Sequence, residues 1–301
     1  MDAEAYVLVT PVRDEERTVG TTLESVVQQS FRPIEWVVVS DGSVDRTDEI
    51  VREYAQRFPF IRLLSRPKQD RRSFSSVVQT MQAGLNAIES RSYQYVGFLD
   101  ADIRLDRSYY SEVVARFRED SRLGLAGGLV TDIVDGRRVR GTQALGEVAG
   151  AVQFFRRSCF ESLGDLISVP EGGWDALTCV QARMSGFRTQ TFPDLLVDHL
   201  KPRNASEGNV ARRHFYLGKR DYALGNHPLF EAAKCLHRLF EHPWVVGGTA
   251  RWAGFFGSWV SRQERVVPEA IIQRIRTEQL SRLSLSGRKL LLPGDRVTAQ
   301  R

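Results

Sequence analysis

The sequence predicts an α/β fold, a Rossmann-like, doubly wound and mostly parallel sheet followed by a helical C-terminal extension. Over the first two hundred residues, short apolar runs alternate with segments of helical periodicity, as they do when crossover helices join parallel strands. From about Ser206 onward the pattern is helical and shows no internal repeat. We therefore predict two parts, residues 1–205 with the sheet and residues 206–301 with the helices.

Four apolar runs predict the first strands: Tyr6–Val9, Glu35–Val39, Ile61–Leu64 and Tyr95–Leu99. Three intervening segments each gather their apolar residues on one helical face: Val19, Leu23, Val26 and Val27; then Ile50, Val51, Tyr54 and Phe58; then Val77, Val78, Met81, Leu85 and Ile88. Each is predicted to be a crossover helix.

The pattern is less regular after residue 102. It predicts a strand at Gly124–Val130, an arginine-rich turn at Gly136–Arg140, a helix starting near Cys159, a helix opened by Gly172–Asp175, and a last strand at Arg188–Phe192. Gly186 can end the second of these helices, because glycine readily adopts the left-handed conformation found after helix C-termini.

Composition and charge limit the class of protein. A 301-residue chain that is 42% hydrophobic can build a core. Its three cysteines lie far apart without a CxxC pair, which argues against disulfides and a thiolate zinc site. Acidic residues precede the first short apolar run, so no secretory signal is visible and we expect a cytoplasmic protein.

The net charge of +5 is unevenly distributed. Residues 206–301 contain 16 Lys and Arg against 8 Asp and Glu, which leaves 26 against 29 for the preceding residues. A basic segment can meet nucleic acid, anionic lipid or a phosphorylated substrate. No nucleic-acid reader motif occurs, and acidic groups at the predicted strand ends would repel phosphate, so we expect no nucleic-acid partner.

Ligands of doubly wound sheets bind at the carboxyl ends of the strands, and acidic groups follow three of the predicted strands. They are Thr10–Glu16, Asp41-Gly42-Ser43 and Asp100-Ala101-Asp102. The alternating carboxylates of the third can hold a hard divalent cation and leave positions for phosphate oxygens, or can simply cap the next helix. Asp41 can accept a hydrogen bond from a nucleobase, or can belong to an ordinary turn. Thr10–Arg17 contains no glycine, which excludes a dinucleotide-binding GxGxxG motif.

In this order and spacing, the three segments resemble the family 2 glycosyltransferases of GT-A fold over roughly residues 5–200. The resemblance implies a nucleotide-diphosphate-sugar donor, with uridine the favoured base. It implies that Pro11, Arg13, Glu15 and Asp41 bind the nucleoside, and that Asp100, Ala101 and Asp102 bind the ribose and the Mn²⁺ or Mg²⁺ on the diphosphate, with Asp102 the direct metal ligand. Arg13 and Asp14 depart from the aromatic residue and the asparagine usual in the family, although a guanidinium plane can also stack on a base.

The same resemblance indicates the catalytic base. The family usually has an acidic pair before an apolar helix at this distance from the metal motif, and Trp174-Asp175 stands there. Asp175 is our candidate base for the acceptor hydroxyl, with a helix cap or first-turn carboxylate as the alternative. Trp174 is expected either to form an apolar wall beside the acceptor sugar or to lie in the core.

Three later residues are expected near the diphosphate. His199 resembles the late histidine that completes the metal site in many GT-A enzymes, although a lone histidine often has only a structural role. Lys201 and Arg203 can stabilise the charge on the leaving diphosphate, or lie in a solvated loop.

The helical tail carries Trp252, Phe255, Phe256 and Trp259 on one helical face, flanked by Arg251, Arg262 and Arg265. Residues 244–260 make a poor transmembrane span because they contain four glycines and a central arginine. Packing on the catalytic part, homodimerisation and docking on a membrane surface remain open, and the membrane surface is favoured.

The sequence thus predicts an inverting, metal-dependent glycosyltransferase that acts on a saccharide or lipid-linked saccharide acceptor in polysaccharide or glycolipid assembly. The alternatives are an inactive transferase-like scaffold and a sugar-phosphate nucleotidyltransferase. The glycine- and arginine-rich loop that opens nucleotidyltransferases is absent after the first strand.

Overall fold

The computed structural model describes residues 4–67, 74–140, 143–201, 210–240 and 244–289, with the side chains of 74, 75 and 284–289 excepted. The strands are β1 Tyr6–Val12, β2 Glu35–Asp41, β3 Ile61–Arg66, β4 Tyr95–Phe98, β5 Ile103–Arg104, β6 Leu123–Val134, β7 Arg137–Arg140, β8 Phe154–Arg156 and β9 Arg188–His199. The helices are α1 Val19–Val27, α2 Thr47–Arg57, α3 Phe74–Ala87, α4 Tyr109–Glu119, α5 Arg157–Ser162, α6 Trp174–Met184, α7 Val210–Ala223, α8 Pro228–Arg238, α9 Val246–Val260 and α10 Glu269–Lys289, and a short 3₁₀ turn spans Gly150–Val152.

The strands form one mixed sheet in the order β3-β2-β1-β4-β8-β6-β9-β5, with β7 paired to β6. The pairs of β1 with β2, β1 with β4, β2 with β3 and β6 with β9 are parallel, whereas β8 runs antiparallel to both of its neighbours. The predicted doubly wound, mostly parallel sheet is confirmed.

Both faces of the sheet are covered. In β1, Tyr6 and Leu8 belong to one core cluster while Val7 and Val9 belong to the other, because successive side chains of a strand point to opposite faces. Residues of α1, α2 and α4 complete the first cluster, and residues of α3, α5 and α6 complete the second. Burial on both faces explains why the strands read as continuous apolar runs.

Two predictions at the far half of the sheet were wrong. The arginine-rich segment predicted as a turn is mostly β7, since Asp135 (φ 50°) and Gly136 (φ 75°) reverse the chain and residues 137–140 pair with the end of β6. The last strand does not end at Phe192. The register with β6 shifts after Gly128, which accommodates Pro193, and the strand continues to His199.

The C-terminal helices pack on one another and on the part of the chain that contains the sheet. Leu177 and Val180 of α6 share a buried cluster with Ile271, Ile272 and Ile275 of α10. The predicted division between residues 205 and 206 lies outside the described residues and stays a prediction. Over the described residues, no helix is both long and apolar enough to cross a membrane.

Candidate active site

The loops after β1 and β2 are joined by hydrogen bonds, because the two strands are parallel neighbours. The backbone N–H of Asp14 donates to Ser43 Oγ (3.2 Å), and the N–H of Val44 donates to Asp14 Oδ1 (2.9 Å). The N–H of Glu15 donates to Thr47 Oγ1 (2.8 Å). Asp14 has a left-handed backbone (φ 55°), a conformation that asparagine and aspartate tolerate better than most residues. Asp14 can therefore replace the usual asparagine without loss of the loop shape.

Asp41 offers a buried acceptor at the end of β2. Its Oδ2 accepts a hydrogen bond from Nη1 of Arg13 at 3.3 Å, with both side chains largely buried. Its Oδ1 is also buried and has no hydrogen-bond partner among the described residues. Such an oxygen is costly unless a ligand supplies a donor. Pro11 pairs with Val39 in the neighbouring strand, which places it beside the same strand end.

Glu15 links the β1 loop to the end of β9. Its Oε1 accepts a hydrogen bond from Lys201 Nζ (2.9 Å), and its Oε2 accepts one from Thr18 Oγ1 (2.9 Å). The exposed ammonium group of Lys201 is therefore held near the ends of β1 and β9. Arg203 lies outside the described residues.

Asp100 and Asp102 follow β4 and face different partners. The N–H of Asp100 donates to the carbonyl of Ala151 in the 3₁₀ turn (3.0 Å), and Asp102 Oδ2 lies 3.2 Å from His199 Nε2. Between them, the side chain of Ala101 is buried in the core, so only its backbone can face a donor.

His199 is oriented by a second carboxylate that the sequence analysis missed. Its Nδ1 lies 2.9 Å from Oδ1 of Asp132, the residue opposite it in the pairing of β6 with β9. Burial opposes protonation of the imidazole, but hydrogen bonds and charges from Asp102 and Asp132 outweigh burial and raise the pKa of His199. His199 was expected beyond a strand, whereas it is the last residue of β9.

The carboxylate of Asp175 projects from the first turn of α6. Its Oδ2 accepts a hydrogen bond from the N–H of Gly150 at 3.3 Å, so the 3₁₀ turn that contacts Asp100 also contacts Asp175. Of the two alternatives for Asp175, the helix cap is wrong, because Gly173 (φ 96°) is the N-cap, whereas the first-turn carboxylate agrees with the structure.

Trp174 is mostly core. It is 9% exposed and packs edge-on against Phe98 with ring centroids 5.7 Å apart. Only a small part of the indole remains available to an acceptor sugar.

The acidic groups form one electrostatic cluster. Burial, together with the charges of Asp102, Asp175 and Glu15, raises the pKa of Asp100 to about 7, whereas the charge of His199 opposes this effect. Carboxylates grouped this closely attract a cation.

The described residues contain no group of three or more His, Cys, Asp or Glu side chains arranged around a metal position. Mg²⁺ and chemically similar ions are nevertheless commonly bound through one or two carboxylates plus substrate phosphates and water. Asp102 with Asp100 and His199 therefore fits a metal site that a diphosphate would complete.

The sequence analysis also missed the two arginines that fix the end of β9. Asp198 is buried beside His199 and receives hydrogen bonds from Arg104 Nη2 (2.7 Å) and Arg138 Nε (2.6 Å). For Arg138, the arginine-rich sequence of β7 could have indicated this contact, since an arginine on a strand beside the end of the sheet can reach a buried carboxylate.

Part of this chain is similar in sequence to curated proteins of bacteria. An uncharacterized glycosyltransferase of Escherichia coli, YibD, is 30% identical over 100 residues, 33% of this chain and 26% of YibD. The poly-β-1,6-N-acetyl-D-glucosamine synthase of Staphylococcus epidermidis is 31% identical over 119 residues, 38% of this chain and 26% of the synthase. The matched region spans about a quarter of the length of these relatives.

Solved structures share the fold. The mannosyltransferase PcManGT of Pyrobaculum calidifontis, in complex with GDP-Man and Mn²⁺, has a TM-score of 0.56 at 16% identity and covers 97% of this chain and 82% of its own. TarS of S. aureus, in complex with UDP-GlcNAc, has a TM-score of 0.53 at 15% identity and covers 85% of this chain and 73% of its own. The fold is of GT-A type.

The family model described as glycosyl transferase family 2 matches residues 7–167, more than half of the chain. The matched segment holds the β1 and β2 loops, Asp100, Asp102 and the 3₁₀ turn. The chain therefore belongs to glycosyl transferase family 2.

Proposed function

We propose that this chain is an inverting, metal-dependent glycosyltransferase that moves a sugar from a UDP-sugar to a hydroxyl group of a saccharide or lipid-linked saccharide. The observation that carries the proposal is the convergence of Glu15, Asp100, Asp102 and Asp175 at one sheet edge, next to the buried Oδ1 of Asp41, which has no hydrogen-bond partner among the described residues. A cluster of negative charge beside a buried acceptor suits a metal-bound diphosphate whose base donates an N–H.

Asp41 supports the assignment of the donor. The imide N–H of uracil can donate a hydrogen bond to Asp41 Oδ1, which has no hydrogen-bond donor among the described residues. Guanine also carries such a donor, so the base must be decided by experiment. Among the structural neighbours, TarS was solved with UDP-GlcNAc and PcManGT with GDP-Man.

The cation would be held by Asp102, with Asp100 and His199 beside it. A bound Mn²⁺ or Mg²⁺ would neutralise the charge that grows on the diphosphate as the donor bond breaks. Lys201, held by Glu15, adds a second positive charge on the same side. PcManGT was solved with Mn²⁺, which favours this choice of metal.

Asp175 is the proposed general base. The acceptor oxygen bonds to the anomeric carbon while Asp175 takes its proton. The bond from that carbon to the diphosphate oxygen breaks, and the nucleoside diphosphate leaves with the electron pair. Attack opposite the leaving group inverts the anomeric configuration. The hydrogen bond from Gly150 orients one carboxylate oxygen, and the other can accept the proton.

The acceptor is proposed from chemistry and from one relative. A relative of this chain is named for the synthesis of a polysaccharide, poly-β-1,6-N-acetyl-D-glucosamine. A growing saccharide is therefore the first acceptor to test. The exposed edge of Trp174 remains the predicted contact of its sugar ring.

A thermal-shift screen of UDP-, GDP-, CDP- and dTDP-sugars, with and without Mn²⁺, tests the proposal, since a ligand that binds only the native state raises the melting temperature. We expect the largest shift with a UDP-sugar and Mn²⁺, a loss of that shift in Asp41→Ala, and release of UDP in the presence of saccharide acceptors. Binding without turnover over a broad acceptor panel would favour the inactive scaffold, and no nucleotide-dependent shift would contradict the proposal.

A further inference from the structure

Helix α8 and the segment after it expose an apolar stripe. Leu229, Ala233 and Leu236 follow one another at helical spacing on one side of α8, and Phe240 continues the stripe just beyond the helix. Leu236 is 60% exposed and Phe240 is 72% exposed. Trp244 in the connection to α9 is also mostly exposed. Surfaces this apolar are unusual on a monomer without a partner.

Helix α9 exposes a second stripe, of aromatic residues. Phe256 contacts Trp252 in a tilted arrangement and Trp259 edge-on, with ring centroids 4.8 Å and 6.1 Å apart, and about half of each tryptophan is accessible. The four-residue face predicted from the sequence was therefore wrong in one member, since Phe255 points inward against Tyr222.

The two stripes lie on the same side of a helical hairpin. Gly248 near the start of α9 meets Leu239 and Cys235 near the end of α8, and Arg251 farther along α9 reaches Glu231 near the start of α8. The helices are therefore antiparallel. Viewed along each helix from its N-terminus, the stripe lies rotated in the same direction from the residues that contact the other helix. Because the two helices are antiparallel, this rotation places both stripes on the same side of the hairpin.

The opposite side of the hairpin is already filled. Arg251 bonds Asp221 through Nε (2.7 Å) and also pairs with Glu231, while Lys234 lies 2.9 Å from Asp221. The hairpin thus has its own buried anchor, and within the described part of the chain no other core covers the stripes.

The charge of this region is one-sided. Over residues 210–240 and 244–262, the acidic side chains are Asp221 and Glu231, and both are buried against Arg251 and Lys234. Lys219, Arg220 and Arg262 are further cations of these ranges, and each is at least partly exposed. Within these ranges the accessible charge is positive only, apart from any protonated histidine, which would add to it.

We propose that the stripes of α8 and α9 dock this protein on an anionic lipid bilayer surface. Tryptophan, phenylalanine and leucine beside arginine suit the boundary between headgroups and acyl chains. A second copy is disfavoured as the occupant, because self-association would bring two positive surfaces together with no accessible acid among these residues. This interaction does not depend on the transfer reaction proposed above.

Vesicle flotation tests the docking. The full chain is mixed with vesicles of phosphatidylcholine alone or with phosphatidylglycerol, at low and high salt. We expect binding to the anionic vesicles that weakens as salt rises. Leu236→Glu together with Trp252→Glu should reduce binding by about tenfold for each side chain. Ile34→Glu, at a 44% exposed position before β2, is the matched control and should float like the wild type.

Circular dichroism and UDP-sugar binding verify that the double variant is folded. We expect it to fold because both substituted positions are exposed. Docking is overturned if the wild type does not float, if the double variant floats equally well, or if neutral vesicles bind as tightly as anionic ones. It is also overturned if sedimentation without lipid shows a wild-type dimer that the double variant breaks, since the surface would then be a protein interface.

Discussion

At the scale of single residues, the carboxylates after β4 carry the strongest expectation. Asp102→Asn should lower transfer by at least ~10²-fold and remove the Mn²⁺-dependent part of UDP-sugar binding, because an amide cannot supply the lost charge. Activity assays and calorimetry with and without EDTA measure both effects. The control is Asp106→Asn, an exposed acid four residues away. Wild-type turnover in excess EDTA would contradict the metal assignment.

Asp175→Asn should separate chemistry from binding. We expect the affinity for the donor to stay unchanged while the transfer rate falls by ~10²-fold or more, because the variant lacks a proton acceptor. Asp194→Asn removes an exposed carboxylate whose salt bridge is with Arg116 and serves as the control. A variant that turns over normally would show that Asp175 has no part in proton transfer.

Asp132 tests how His199 is positioned. Asp132→Asn should weaken Mn²⁺ binding in the presence of UDP by ~10- to 100-fold, because the carboxylate fixes the orientation of the imidazole. Mn²⁺ electron paramagnetic resonance measures the change without an activity assay. Asp135→Asn lies in the next turn, where asparagine tolerates the left-handed backbone, and should leave Mn²⁺ affinity unchanged. Equal affinities for the two variants would make Asp132 a merely structural residue.

At the scale of elements, the close crossing of α7 and α9 depends on glycine. A Cβ on Gly254 would lie well inside contact distance of the Phe215 carbonyl oxygen, whereas one on Gly257 would meet nothing. Gly254→Ala should therefore destabilise by about 1–3 kcal/mol, and Gly257→Ala should stabilise by about 0.5–1 kcal/mol. Urea unfolding compares the two. Similar values for both variants would refute the close crossing.

The sequence predicted the elements that local pattern determines and missed those that depend on distant partners. The predicted positions of the parallel strands β1 to β4 were confirmed, and β1, β2 and β4 have the apolar runs that burial on both faces requires. The exposed β7 has no such pattern, and the extension of β9 past Pro193 depends on a register shift in β6. Arg13, Asp41 and Glu15 were predicted from the motif and Lys201 from its place after His199. Arg13 meets Asp41 because β1 and β2 are adjacent, whereas Glu15 meets Lys201 although β1 and β9 are not neighbours in the sheet.

At the scale of the whole molecule, a salt bridge between α6 and α10 helps to tie the tail to the part of the chain that contains the sheet. Arg183 of α6 donates from Nη2 to Glu278 of α10 at 3.0 Å. Burial opposes ionisation of Glu278, but hydrogen bonds and charges from Arg183 and Arg274 outweigh it and lower its pKa below the ordinary 4.5. This carboxylate therefore adds stability above about pH 4.5, which is lost as pH falls through the lower folded-state pKa.

The difference in unfolding free energy between wild type and Glu278→Gln should thus be constant near neutral pH and shrink below about pH 4.5. Denaturant titrations between pH 3 and 7 measure it. Thr277→Ala removes an exposed, uncharged side chain of the same helix, so its effect on the unfolding free energy should not depend on pH in this range. A difference that does not change with pH would mean that the charge of Glu278 is not what holds the helices together.

The cluster shared by α6 and α10 limits how this chain can be recombined with its relatives. A chimaera that exchanged only residues 206–301 would set foreign side chains against Leu177 and Val180, where Ile271, Ile272 and Ile275 now pack. Mismatched packing of this kind costs about 1–3 kcal/mol per poorly fitted residue. Because α6 also begins with Asp175, a graft that shifted this helix would move the proposed base. A transplantable unit must therefore exchange both sides of the cluster together.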